Sequence, residues 1–258
     1  MGPGTITEGK SWLRRIATAG LRAEAPPGLG AEDKAHAIRH YEERARHYDR
    51  TISRGFLRHL RVRERQAVLH LAALDDPSKR TVIDMGCGGG FYSRAAKRAG
   101  KWVHAVDAAH GMVESVRADV DVAEVADLET FVPERTYDVV ICCGVLDFVA
   151  RPAEAFDNLC QLRAPGGRLV VLLPRAGAGS LLYRMEKRLH GLDVNIYHRD
   201  WLVQRARWRG LELTGCRQPL PFNMALLFEE PPAGADHTGP EPRSSVEPAG
   251  GSRAWAPR

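Results

Sequence analysis

The chain has 258 residues, 44% of them apolar and 27% charged, and a formal charge of +5. That is enough apolar material for one α/β domain with extensions, and the mild basicity permits an acidic partner without requiring one. No apolar run approaches the length of a membrane span, no apolar leader follows the first residue, and five cysteines without a CxxC exclude a disulfide framework or a zinc site. The expectation is a reduced, cytoplasmic protein with no metal.

Residues 1–30 are rich in Gly, Ala and Pro and read as a disordered extension, with at most a short helix near 9–20. The domain proper spans 31–230. It opens with a helical lead-in, 31–78. Ile38, Tyr41, Ala45 and Tyr48 recur at spacings of three and four. Leu57, Leu60, Val68, Leu69 and Leu71 continue the stripe, which predicts helix over 32–75. Its many arginines, from Arg39 to Arg65, read as a solvated face with pairs such as Glu42–Arg46. From 81 the pattern alternates: strand 81–85, helix 91–99, strand 102–107, helix 109–117, strand 121–126, strand 137–143, helix 152–163, strand 168–173. An excursion over 175–198 precedes helix 199–209. Strands 211–217 and 222–229, joined at Pro219–Pro221, close the domain, and the Pro/Gly/Ser-rich 231–258 reads as a disordered tail. Continuously apolar strands separated by helices predict a parallel sheet covered on both faces. The last two strands are joined too tightly to be parallel, so they predict an antiparallel hairpin.

The most informative stretch is VIDMGCGGGFYS, 82–93. An apolar strand ends in Asp84, and glycines at 86, 88 and 90 lead into a helix. Glycines are needed where backbone must approach a ligand closely, and a helix start offers free N–H groups. Asp107, at the tip of the next strand, is placed to hold the two hydroxyls of a ribose. Two adenosine cofactors compete for such a turn. A nicotinamide dinucleotide requires G-x-G-x-x-G, but position 91 is Phe. The chain also lacks a Tyr-x-x-x-Lys pair. A ligand without a pyrophosphate, such as S-adenosylmethionine, needs less room there.

Five pieces in fixed order resemble the class I S-adenosylmethionine-dependent methyltransferases of the small-molecule type: VIDMGCGGGFYS, AVDAAHGMVESV (105–116), VADLE (125–129), YDVVICCGVLDFV (137–149) and LRAPGGRLVVLLP (162–174). The resemblance covers about 35–229. It implies a Rossmann-like, doubly wound sheet, mostly parallel with an antiparallel terminal hairpin, and S-adenosylmethionine as cofactor. It also implies roles. Asp84, Gly86, Gly88 and Gly90 form the loop around the methionine part, and Asp107 holds the ribose. Ala108 and Met112 pack on adenine. Asp127 accepts from the adenine amino group, with the Leu128 amide beside it. Cys143 and Gly144 offer carbonyls to the amino-acid end. Tyr41 or Tyr48 closes over the cofactor.

For the acceptor, the excursion 175–198 is the expected cover, with a loose likeness to the insertions of tetrapyrrole and quinone methyltransferases. His198 and Asp147 are the two candidate bases. The expected function is methyl transfer to oxygen, carbon or nitrogen of a small molecule. The competing readings are a non-catalytic or RNA-binding relative using the arginine face, and a nicotinamide-dependent oxidoreductase. Nucleic acid is not the expected partner, and the oligomeric state is open.

Overall fold

A computed structural model describes residues 25–45 and 56–232. Residues 1–24 and 233–258 of the terminal extensions, the short helix expected near 9–20 and Tyr48 lie outside the described residues; within the N-terminal extension, Leu29 N donates to the Val149 carbonyl at 3.0 Å. The lead-in supplies two helices, α1 (Ala31–Arg44) and α2 (Phe56–Ala72). The alternating part then runs β1 (Thr81–Met85), α3 (Phe91–Arg98), β2 (Trp102–Asp107), α4 (His110–Val116), β3 (Val122–Val125), β4 (Tyr137–Cys143), α5 (Pro152–Leu162) and β5 (Arg163–Pro174). It ends with α6 (Ala178–Leu189), α7 (Arg199–Trp208), β6 (Glu212–Arg217) and β7 (Asn223–Glu229).

The seven strands lie in the order β3-β2-β1-β4-β5-β7-β6. β1 to β5 pair in parallel, and β7 pairs antiparallel with both β5 and β6. The doubly wound sheet and its antiparallel hairpin are therefore as the sequence pattern requires. Alternate residues of the apolar strands go to opposite faces. Val82, Val139, Ile141 and Val170 pack against α2 and α3 through Val68, Leu71 and Ala96. Ile83, Val140, Val171 and Phe228 pack with Phe156 and Leu159 of α5 and Trp201 and Leu202 of α7. Chain connections leave β1 toward β2 on one side and continue from β4 on the other. The reversal opens a crevice at the carboxyl ends of β1 and β4, where open α/β sheets take ligands.

Two boundaries differ from the expectation. β5 begins at Arg163 rather than 168, because Tyr137 pairs with Arg163 before the register shifts to Val139–Arg168. Gly166, at φ +67°, sits in that irregular stretch. The excursion 175–198 is partly helical: α6 places Tyr183 inward and Lys187 along the cavity. Its other side exposes Leu181, Leu182, Met185 and Leu189.

Candidate active site

The glycine turn is fixed by sterics on both sides. Gly86 and Gly90 have φ of +80° and +74°. A Cβ on Gly86 would lie 1.9 Å from Val145 Cγ2, and one on Gly90 2.2 Å from Val116 Cγ1. Only glycine fits either place. The turn is stitched to β2: Gly86 N and Cys87 N donate to the Val106 carbonyl at 2.7 and 2.9 Å. Gly88 N donates to Asp107 Oδ2 at 2.9 Å, and Ala109 N donates to Asp107 Oδ1 at 2.9 Å. Burial pushes the Asp107 carboxyl above its ordinary range, opposed by the amides of Ala109, Gly88 and Ala108.

Asp84 sits behind the turn. It is buried, and its Oδ2 accepts from Ser93 N at 2.9 Å and Ser93 Oγ at 2.6 Å, so it caps the first turn of α3 from a distance. Burial raises its carboxyl to about 6. Asp84 and Gly90 therefore shape the turn rather than line the space beyond it.

That space is a cavity of about 210 Å³. Gly86, Gly88, Asp107, Ala108, Met112, Cys143, Gly144, Asp147 and Tyr41 all border it. Nine sequence-predicted residues thus converge on one crevice. Tyr41 reaches it from α1, packed edge-on against Phe148 with centroids 5.5 Å apart. Asp127 and Leu128 do not border the cavity, although their neighbour Ala126 does. Leu128 is buried in the core, and Asp127 pairs with Lys34 at 2.5 Å. Lys34 also contacts the buried Glu129, whose carboxylate accepts from the amides of Ala150 and Arg151.

His198 stands apart. It is exposed, at the residue preceding α7, and does not border the cavity. The chain turns it outward because Tyr197, its neighbour, is the buried residue, donating from its hydroxyl to the Leu146 carbonyl at 2.8 Å. Asp147, the other candidate base, does border the cavity. It lies in the single turn after β4 and is 2% exposed. Its Oδ2 accepts from the Tyr183 hydroxyl at 2.5 Å, while Oδ1 is buried with no hydrogen-bond partner among the described residues. Burial raises its carboxyl to about 6, opposed by the Tyr183 hydrogen bond and the Lys187 charge.

Sequence reasoning missed the residues that complete this side. Tyr183 stacks on Phe222 at 5.7 Å, and Lys187 Nζ lies 5.3 Å from the Tyr183 ring. Both come from α6, one turn apart. That spacing, opposite the exposed Leu181, Met185 and Leu189, was the available signal. From α2, Glu64 is buried, held by Arg61 at 3.1 Å and by Asn223. Arg65 lies 3.9 Å over the Phe91 ring, the residue that replaces the third dinucleotide glycine.

Geometrically, the crevice offers bare backbone and the half-buried Asp107 carboxylate at one end, and the buried Asp147 carboxyl at the other. Among solved structures, the magnesium protoporphyrin IX methyltransferase of Synechocystis, with bound SAH, matches with a TM-score of 0.63 at 19% identity, covering 77% of this chain and 100% of that one. The DhpI–SAH complex matches with a TM-score of 0.57 at 19% identity, covering 79% and 100%. At such identities these likenesses speak to the fold. The ubiquinone biosynthesis O-methyltransferase of Bordetella bronchiseptica is 32% identical over 159 residues, 54% of this chain and 65% of that protein. That of Xylella fastidiosa is 35% identical over 118 residues, 40% and 48%. The chain thus spans between about half and two thirds of the length of these curated relatives. A family model described as a methyltransferase domain matches residues 53–219, from α2 through the glycine turn and the sheet to β6. With more than half of its length matched in that way, this chain belongs to the methyltransferase domain family.

Proposed function

We propose that the protein transfers a methyl group from S-adenosylmethionine to an oxygen of a small-molecule acceptor. The observation that carries the reading is the pairing of Gly88 N with the Asp107 carboxylate between the tips of β1 and β2, on the same cavity that Asp147 borders. The residues present fit the cofactor. The positive-φ turn brings unshielded backbone to the cavity, and Asp107 retains lone pairs for two ribose hydroxyls after accepting from two amides. Ala108 and Met112 supply an apolar wall for adenine. When bound, the sulfonium supplies the electrophilic methyl carbon; the protein supplies position.

Asp147 takes the part of the base. Tyr183 fixes its Oδ2, which leaves Oδ1 to receive a hydrogen bond, and then the proton, from an acceptor hydroxyl. Tyr183 orients this carboxyl and does not itself remove the proton, since burial and Asp147 push its phenol well above the ordinary range. The names of the curated relatives support oxygen as the methylated atom. Quinone-like and tetrapyrrole-like acceptors are the first to try.

Calorimetry tests the cofactor assignment. The wild-type protein should bind S-adenosylhomocysteine saturably and NAD not at all. Asp107→Ala should weaken the first by at least tenfold, since two charge-assisted hydrogen bonds of about 1.5–3 kcal/mol each are removed. Undiminished affinity in a folded variant would remove the ribose assignment, and NAD binding in place of S-adenosylhomocysteine would remove the function.

A further inference from the structure

Beside Asp147 the cavity carries positive charge that methyl transfer itself does not require. Lys187 borders the cavity with its side chain 12% exposed. Just outside that wall, His40 of α1 faces His190 with ring centroids 6.1 Å apart. His36 Nε2 would lie 3.3 Å from a Cβ on Gly191. The charged groups that act on His40 are Arg44, His190, His36 and Lys187, all of them bases. The nearby acids are otherwise engaged. Glu186 is half exposed, 3.3 Å from Lys187 Nζ and 3.6 Å from His190 Nε2, where solvent screens it. Glu64 is turned to Arg61 and Asn223. Lys187 supplies the positive charge of this wall, and the His40 imidazole, which burial holds toward its neutral form, supplies a hydrogen-bonding group beside it.

We propose that the acceptor is an anionic hydroxy compound, its hydroxyl donating to Asp147 Oδ1 and its carboxylate or phosphate lying against Lys187 Nζ at the mouth flanked by His40 and His190. This rests on the methyltransferase reading above and narrows its substrate class. Two contacts of opposite character on one small molecule would also set its orientation, since reversal would bring the anion against Asp147.

The test uses the full chain saturated with S-adenosylhomocysteine. Saturation is measured first, and its failure would count against the methyltransferase reading alone. The loaded protein is then titrated calorimetrically with meta-hydroxybenzoate and with meta-hydroxybenzamide, its neutral counterpart. The acid should bind at least tenfold more tightly than the amide. Lys187→Gln should bring the two within twofold, and Lys187→Arg should keep the preference. If Lys187→Gln does not fold, His40→Gln serves, with a smaller loss of preference expected. Equal binding of acid and amide to the wild type, no binding of the acid at millimolar concentration, or a preference that survives both variants would overturn the proposal.

Discussion

The two ends of the crevice are built in different ways. The end formed by the glycine turn and Asp107 draws on consecutive residues at the tips of adjacent strands, locked by backbone hydrogen bonds and by contacts that admit no side chain at Gly86 or Gly90. The end formed by Asp147, Tyr183, Lys187 and Glu64 gathers side chains from three separate stretches, joined mostly by hydrogen bonds between side chains. The first has its shape before any ligand arrives. The second depends on how α2 and α6 pack over it. Damage to the first should therefore reach the fold and cofactor binding, and damage to the second should reach turnover while leaving the turn and its cofactor binding intact.

The largest effect is expected at Gly86. Gly86→Ala forces a non-glycine residue into a left-handed conformation and drives its Cβ into Val145. A loss of about 2–4 kcal/mol in denaturant unfolding and of detectable S-adenosylhomocysteine binding should follow. A variant that binds and melts like the wild type would show that the turn is pliable and break the contrast. Asp147→Asn comes next. Turnover should fall by about 10²–10⁴-fold, because the base is gone, while S-adenosylhomocysteine affinity stays within twofold. A tenfold loss of that affinity would mean the two ends are not separable.

The same substitution has a stability signature. The Asp147 carboxyl titrates near 6 in the fold, above its value in the unfolded chain, so the folded state holds the proton more tightly. The stability this contributes is complete below the unfolded pKa and is lost as pH rises through about 6. Asp147→Asn should therefore be more stable than the wild type at alkaline pH by up to about 3 kcal/mol, with the difference closing under acid conditions. Urea unfolding at the two extremes checks this. In turnover the sign is opposite: kcat should rise with pH through the region near 6 as Oδ1 becomes able to accept a proton. The smallest effect is expected at Glu42, whose carboxylate accepts from Gly111 N at 2.9–3.0 Å in the open. Glu42→Gln should cost no more than about 1 kcal/mol by thermal denaturation.

What could be read from the chain follows the same division. The strands, their order of use and the glycine turn were legible because each is a local pattern: an apolar run, a breaker, an acid at a strand tip. Asp107, Met112 and Gly144 fell into place for that reason. His198 and Asp147 looked equivalent in sequence, each a lone titratable group at an element boundary. Only the packing of Tyr197 inward, which turns His198 to solvent, and the reach of Tyr183 to Asp147 separate them. Glu64 was unreadable because its partner Asn223 is 159 residues away. Asp127 was legible as an acid after β3, but its partner Lys34, on the lead-in, could not be paired with it from spacing.

That last pairing gives the lead-in helix an unusual dependence on the medium. α1 is seated by a thin apolar strip, Ala37, Ile38 and Tyr41, and moored at two points, a sheltered one where Lys34 meets Asp127 and Glu129 and a wet one at Glu42–Gly111. Electrolyte attenuates exposed charges over about 8 Å at physiological strength and reaches sheltered ones far less. Added potassium chloride would therefore slacken the Gly111 end of the helix before the Lys34 end.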